Sequence, residues 1–468
     1  MYNYFLSPSK KKQYILLIVD ILVILISIGF SYVIRFLIHQ ESISIDNIIV
    51  RLDVRHAVLI VTYTFSLYIF SQYNLNQIAD VSNFPKILIM ALTMGVVVTS
   101  SVFFFFPKYV FGRTVLLSHY LLLLVLIGAW RIVFVKFVLR SGAARRVLVL
   151  GERGQVDSFL QDIKQHANSG YEIIGAYYRE EDGFRSSLDG SDGAQTDIGD
   201  VLISENFDLL IYDTKCRCFD TVDIETILQS KYKGKAIYDI PTFYQDVIGK
   251  APIEFIDNVW LLFNTQLQGR EKQYYVRVKR LLDLGLALFL LTLLAPLILL
   301  IGVAIKMTSK GPALFRQERL CAQQGTFSCI KFRTMHEVPE TDQERQAWAT
   351  AETVRITRLG KFLRATRLDE ILQLWNILKG EMSFVGPRPI RKHFADKIAK
   401  SIPFYNLRFM VKPGLSGWAQ VNLGYADSTE RQHEKFKYEL FYLQNMSFLL
   451  DLIIILKTMQ KMIKGDGR

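Results

Sequence analysis

Four apolar stretches, at roughly 14–38, 57–73, 86–106 and 114–138, dominate the first 140 residues. A helix needs about 20 apolar residues to cross a bilayer, and only the second stretch is short of that. Lys10, Lys11 and Lys12 precede the first stretch, and Lys136, Arg140, Arg145 and Arg146 follow the core of the fourth. Cations collect on the cytoplasmic side of membrane segments, so both ends are expected there, as an even number of crossings requires. Asp20 and Arg35 lie within or at the edge of the first stretch. Intramembrane charges can mark function, but Arg35 can snorkel, and a bundle-stabilising role is the expectation. No small-residue cleavage site follows the first stretch, which is too long for a signal segment, so it is expected to be retained.

Beyond residue 140 the pattern changes period. Arg146 leads a continuous apolar run, 147–150, into the turn Gly151-Glu152-Arg153-Gly154, and further strand-like segments at 172–177, 209–212 and 236–239 alternate with polar, helix-like segments. That rhythm predicts a doubly wound, Rossmann-like α/β domain over 145–265. Its turn has two glycines where the dinucleotide fingerprint has three. Glu152 also brings negative charge to where a pyrophosphate would lie. A structural or regulatory domain is expected rather than a working NAD site.

Near Tyr274 the pattern turns apolar again. Arg277, Lys279 and Arg280 lead into an uncharged run from about 284 to 305, within the apolar segment 281–306, and Lys306 and Lys310 follow. A fifth crossing would put everything after it on the far side of the membrane, away from nucleotide donors. Ala295-Pro296, midway, offers a second reading: helix, break, helix, entering and leaving one leaflet, since proline removes a backbone donor and bends a helix. Spanning helices also tolerate proline, so these residues alone leave both open.

Charge sharpens the picture. The chain of 468 residues carries a formal charge of +12, and between Arg270 and Arg468 there are 32 Lys+Arg against 18 Asp+Glu. A basic third attached to membrane segments suits a phosphorylated substrate or anionic membrane lipid better than nucleic acid, which is excluded as a partner. Half the residues are hydrophobic, consistent with a mixed membrane protein of two or three units. Four cysteines show no metal-ligand spacing, Cys216-Arg217-Cys218 included, and read as reduced thiols.

Two strand-like segments, 311–319 and 330–335, carry Arg316, Arg319, Lys331 and Arg333; Arg358, Lys361, Arg364 and Arg367 follow. Any one of these cations could simply face water. Their recurrence ahead of the pair Asp369-Glu370 is the array that several phosphates require, because arginine forks grip phosphate oxygens. The pair opens a predicted helix over 368–378, with Leu372, Trp375 and Leu378 on its buried face. Acidic residues in a first turn are often only dipole partners; a carboxylate can equally attack phosphorus or hold a metal. Gly386-Pro387-Arg388-Pro389 is a stiff turn presenting one arginine, and 412–422 is a glycine-punctuated polar loop.

Taken in order, Pro296 in its apolar segment, Gly311-Pro312, Lys331-Phe332-Arg333-Thr334-Met335, Phe362-Leu363-Arg364, Leu368-Asp369-Glu370, Asn376 to Ser383, Gly386-Pro387-Arg388-Pro389 and Lys412-Pro413-Gly414 resemble the bacterial sugar transferase family. These are polyprenyl-phosphate glycosyl-1-phosphate transferases that initiate exopolysaccharide and O-antigen synthesis. The four N-terminal stretches (1–140) and the α/β domain, CoA-binding-like in such proteins, are similar to its large members. The resemblance implies a catalytic domain over 277–468 with a re-entrant membrane helix at 281–306, broken at Pro296. It implies transfer of hexose-1-phosphate from a nucleotide sugar donor to undecaprenyl phosphate, with release of UMP from a UDP-sugar. Asp369 would be the nucleophile, Glu370 a Mg²⁺ ligand, and Lys331, Arg333, Arg364 and Arg388 phosphate-binding residues. It further implies residence in the bacterial inner membrane with the soluble domains facing the cytoplasm, and leaves a homo-oligomer open. Three positions depart from the family's pattern: Ala295 replaces a serine before Pro296, Leu372 replaces a proline, and Leu423-Gly424-Tyr425 replaces a Gly-Arg pair. A membrane-tethered dehydratase or epimerase would instead need a Tyr-x-x-x-Lys pair inside the α/β domain, and the pair present, Tyr275 and Lys279, lies outside it. A non-catalytic scaffold, its carboxylates serving as helix caps, is the other alternative.

Overall fold

The computed structural model describes residues 8–39, 54–75, 78, 84–106, 111–139, 145–164, 171–180, 183–186, 198–213, 221–256, 270–336, 356–423 and 429–464. Cys216, Cys218 and Gly424-Tyr425 lie outside them. The chain divides into two compact units, Met1–Val247 and Ile248–Arg468.

In the first unit, four apolar helices, α1 (Pro8–His39), α2 (Val54–Ile69), α3 (Phe84–Phe105) and α4 (Arg113–Val133, continued by a π-helical turn Phe134–Leu139), pack together. Their shared core includes Ile24, Ile28, Leu59, Tyr63, Leu92, Leu123 and Ile127. Helices α1, α3 and α4 are long and apolar enough to cross a membrane. Helix α2 has 16 residues, about 24 Å at the helical rise, against roughly 30 Å of hydrocarbon. Asp20, fully buried, accepts hydrogen bonds from both Arg131 terminal nitrogens at 2.9 and 2.7 Å, tying α1 to α4. Its partner stands in the fourth apolar stretch.

The same unit holds helices α5 (Arg153–Lys164), α6 (Ile198–Ser204), α7 (Thr221–Tyr232) and α8 (Ile240–Val247) and a five-stranded sheet in the order β3-β2-β1-β4-β5. Strands β1 (Arg145–Gly151), β2 (Tyr171–Glu180), β4 (Leu209–Tyr212) and β5 (Ala236–Asp239) run parallel, and β3 (Gly183–Ser186) is an antiparallel edge. Central β1 is buried on both faces, as its continuous apolar run requires. A Cβ on Gly151 would meet the Asp213 side chain at the end of β4, so this glycine is needed for close packing.

The second unit begins with residues 248–256, at the end of the range expected for the α/β domain; Ala251, Ile253, Phe255 and Ile256 are buried there. Its longest element is α9 (Arg270–Thr308), a continuous helix with Pro296 inside it. The break expected at Pro296 is therefore not an interruption: a proline can cost a helix one hydrogen bond without ending it. Leucines 281, 282, 288, 293, 299 and 300 remain exposed along α9. Its other face packs, on both sides of the proline, against elements that follow it in the chain. Ala287, Leu290 and Leu291 join Phe327, Leu374, Ile377 and Met382, while Leu297, Ile298, Ile301 and Ile305 join Phe332, Leu363, Leu368 and Ile371.

Strands β6 (Leu314–Leu320) and β7 (Thr326–Phe332) form an antiparallel hairpin, in the region where two short strands were expected. Helix α10 (Arg358–Ala365) follows, capped by Thr357, whose hydroxyl accepts from the Gly360 amide at 2.8 Å. The single helix expected over 368–378 is instead a 3₁₀ turn, Leu368–Glu370, followed by α11 (Gln373–Lys379). A 3₁₀ turn has fewer residues per revolution, and the face that follows is rotated accordingly. Leu374 and Ile377 are buried, whereas Trp375, expected inside, is half exposed; Leu372 and Leu378 are only partly buried.

Candidate active site

Arg367 adopts a left-handed conformation (φ 57°) just before the 3₁₀ turn. A non-glycine residue there is held under strain by its surroundings. The turn delivers Asp369 and Glu370, both buried, to one place. Lys331, from the end of β7, donates to Glu370 Oε1 at 2.5 Å, and Arg388 donates to the same oxygen at 2.8 Å. Arg367 Nη1 lies 4.0 Å from Oε2. Burial alone would raise the Glu370 carboxyl, but the charges and hydrogen bonds of Arg388 and Lys331 outweigh it and hold the group well below the usual carboxylate range.

Asp369 differs from its neighbour. Among the described residues no side chain donates a hydrogen bond to its carboxylate, and it forms no ion pair. Burial, and then the Glu370 charge, push its pKa up, against the pull of Lys331, Arg364 and Arg388. Neither carboxylate caps a helix: the N-cap position of α11 is Leu372, with no side-chain cap bond.

Of the expected phosphate-binding residues, Lys331, Arg364 and Arg388 act on the carboxylate pair. Arg364 Nε also donates to Thr334 Oγ1 at 2.8 Å. Arg333 goes elsewhere. It donates to the Ser309 carbonyl and hydroxyl at 3.2 and 2.8 Å, where α9 ends. A cation there complements the last carbonyls of a helix.

The turn bearing Arg388 is held from behind by residues that no local pattern marked. Arg408, almost fully buried, donates to the Arg388 carbonyl at 2.9 Å, to Glu439 Oε1 at 2.9 Å and to the Tyr405 hydroxyl at 2.7 Å. Short strands β8 (Ser383–Val385) and β9 (Gly414–Ser416) pair in parallel, and the Gly414 amide donates to the Pro387 carbonyl at 2.8 Å. A Cβ on Gly414 would collide with the Gly386 backbone, which accounts for a glycine in each of the two segments.

The model of bacterial sugar transferases matches residues 274–465, a range holding both carboxylates, the four cations around them and most of α9. The UDP-glucose:undecaprenyl-phosphate glucose-1-phosphate transferase of Klebsiella pneumoniae is 33% identical over 324 residues, 68% of this chain and 67% of that protein. The chain belongs to the bacterial sugar transferase family. The UDP-N-acetylgalactosamine-undecaprenyl-phosphate N-acetylgalactosaminephosphotransferase of Aeromonas hydrophila is 39% identical over 193 residues, 41% of this chain and 45% of that protein. A UDP-glucose:undecaprenyl-phosphate glucose-1-phosphate transferase of Caulobacter vibrioides is 40% identical over 191 residues, 40% of this chain and 71% of that one. The chain thus spans about two thirds of the Klebsiella protein and less than half of the Aeromonas one.

In this sugar transferase the motif around Asn376 is scaffolding. Asn376 is fully buried, accepts from the Ile330 amide at 3.1 Å, and donates to the Ser328 carbonyl at 2.8 Å and to Glu381 at 2.6 Å, pinning α11 to β7. Gly380 ends α11 at φ 87°. Arg280, on α9, donates to the Ile377 and Leu378 carbonyls at 2.5 and 2.8 Å. The membrane helix and the element behind the carboxylate pair are thereby one assembly.

Proposed function

We propose that this protein transfers a sugar-1-phosphate from a UDP-sugar to undecaprenyl phosphate, releasing UMP and forming the first lipid-linked intermediate of exopolysaccharide synthesis. The observation that carries the reading is a buried carboxylate, Asp369, without a hydrogen-bond partner among the described residues, set beside one whose Oε1 is already engaged by Lys331 and Arg388. Two carboxylates here face Lys331, Arg364, Arg367 and Arg388, a surplus of positive charge that a diphosphate would balance. An Asp369 oxygen attacks the sugar-bearing phosphorus, the bond to the UMP oxygen breaks, and UMP leaves with its electron pair. The acceptor's phosphate oxygen then attacks the same phosphorus and frees Asp369. Splitting one displacement into two is the advantage of covalent catalysis, and fixed cations stabilise charge on the oxygens in transit.

Mg²⁺ is the cofactor this reading requires. Magnesium takes one or two carboxylate oxygens together with substrate phosphates and water. Glu370 fits, because Lys331 and Arg388 both engage Oε1 while Arg367 stands 4.0 Å from Oε2. When bound, the ion would neutralise charge on the donor diphosphate.

Helix α9, continuous but bent at Pro296, enters and leaves one leaflet, with the catalytic unit on the cytoplasmic side of the bacterial inner membrane. Support comes from contacts on either side of Pro296 with the same unit. Before it, the Tyr275 hydroxyl donates to Asp451 at 2.6 Å and Lys279 pairs with the same carboxylate; after it, Arg333 holds Ser309. Residues 275 and 305 of a straight helix would be about 45 Å apart, on opposite sides of a bilayer. The contacts of Tyr275 and Lys279 also argue against a dehydratase or epimerase, since both side chains are committed to Asp451.

The test is release of UMP over a panel of UDP-sugars, with and without undecaprenyl phosphate. Acceptor-dependent release that disappears in Asp369→Asn is expected. Wild-type protein inactive on every donor, or Asp369→Asn fully active, would overturn the reading.

A further inference from the structure

Residues 249–254 are the first part of the second unit that the chain reaches after Ile248, and their contacts converge on the wall of the candidate site. Trp418, buried, donates its indole N–H to the Gly249 carbonyl at 2.7 Å. The Ala251 amide donates to the Lys437 carbonyl at 2.9 Å. Around these two bonds runs an alternating charge chain. Lys250 lies 3.4 Å from Glu434, Lys437 lies 2.5 Å from both Glu434 and Glu254, and His433 lies 3.4 Å from Glu254. The segment is clasped to one helix, Thr429–Gln444, and to one tryptophan.

That tryptophan also lines a depression beside Arg388, together with Gln420, Glu439 and Tyr442. It stacks on Phe441 at 5.7 Å between ring centroids, and Lys457 lies 4.4 Å from its ring centroid on the face. Its neighbour Gly417 sits so close to the Gly386 carbonyl that a Cβ there would collide with it, and the Gly386 amide donates to the Ser416 carbonyl at 2.9 Å. Two residues further on, Arg388 reaches Glu370. An unbroken series of contacts therefore leads from the Gly249 carbonyl through Trp418 and the 414–417 backbone to the turn that aims Arg388.

We propose that Trp418, held by residues 249–254, is a positioning residue for donor binding. It sets the turn that places Arg388, so residues 249–254 are part of the site's support. The inference rests on the reading that Arg388 binds the donor's phosphates. Trp418→Phe keeps a ring to stack on Phe441 but removes the donor to Gly249 together with part of the indole surface under Lys457. The pair Lys250→Ala/Glu254→Gln loosens the clasp without touching the depression.

The experiment measures, on full-length protein, donor KM and kcat from UMP release, the affinity for UMP by calorimetry, and the melting temperature. Trp418→Phe should raise KM and weaken UMP binding by roughly fivefold, the equivalent of one buried hydrogen bond, with kcat at saturating donor and melting temperature near wild type. The clasp pair should shift KM in the same direction by less. The triple variant should be no worse than Trp418→Phe, since both act along one route. Unchanged KM and UMP affinity in a Trp418→Phe protein that melts like wild type would overturn the proposal, as would activity lost only in proportion to the folded fraction. If wild type binds UMP but releases none from any donor, the transfer reading fails, and UMP affinity still decides this one.

Discussion

Two buried charge clusters in this protein differ in arithmetic. In the helical bundle one acid meets one base: Asp20 and Arg131 are 0% and 1% exposed and share two hydrogen bonds. In the sugar transferase site two acids face Lys331, Arg364, Arg367 and Arg388, and Lys331 and Arg388 are 22% and 32% exposed. The first cluster is closed and neutral, and its bidentate geometry offsets much of the cost of taking two ions out of water. The second is open and carries surplus positive charge beside a carboxylate that accepts no side-chain hydrogen bond among the described residues. Buried charge alone does not mark function; an unbalanced set with one unengaged member does.

Changing one atom at a time separates the two kinds of cluster. Asp369→Asn preserves shape and removes the charge, and should lower turnover by about 10³-fold or more, roughly 4 kcal/mol of transition-state stabilisation, while membrane insertion and melting stay normal. Arg131→Met should do the reverse. An unpaired Asp20 left in the bundle should cost about 3 kcal/mol of stability, and Asp20→Leu/Arg131→Met should recover part of it, as read by denaturant titration in detergent. A double variant as damaged as the sum of its singles would show that the pair is not a unit.

Within the open cluster the expected losses are smaller. Glu370→Gln should reduce turnover by about a hundredfold, near 2.7 kcal/mol, and raise the Mg²⁺ concentration needed for half-maximal rate, since a neutral amide is a poor ligand for a hard cation. An unchanged Mg²⁺ requirement would remove Glu370 from the metal's ligands. Arg388→Lys should cost about tenfold, or 1.4 kcal/mol, because an ammonium cannot reproduce a planar fork on phosphate. Equal activity of the lysine variant would reduce Arg388 to a point charge.

Much of the open cluster was legible because its members sit on short motifs with strong local signatures. Lys331 ends an alternating strand, Arg364 lies on a capped helix, and Arg388 is locked between two prolines. Asp369 and Glu370 were legible as a pair, but the element carrying them was not. The 3₁₀ turn that delivers them, and so the outward rotation of Trp375, depends on a strained Arg367 that no periodicity reports. Arg333 shares a motif with Lys331 and alternation would give both one face, but β7 ends at Phe332, and one residue beyond it Arg333 turns to Ser309. The closed cluster was half legible: Asp20 stood out in an apolar run, but Arg131 lies 111 residues away and resembles a flanking cation. Arg408 and Glu439 gave no local signal at all, since each is defined only by the other across the fold.

The proposed transfer requires Asp369 to become covalently bonded to the sugar-linked phosphate. Purified full-length protein would be incubated with a UDP-sugar labelled in that phosphate, with Mg²⁺ and no undecaprenyl phosphate, then digested and mapped. Label is expected on the peptide containing Asp369, with its discharge on adding undecaprenyl phosphate and no label on Asp369→Asn. Wild-type protein that turns over yet never carries label, or Asp369→Asn that carries it, would rule out Asp369 as the nucleophile.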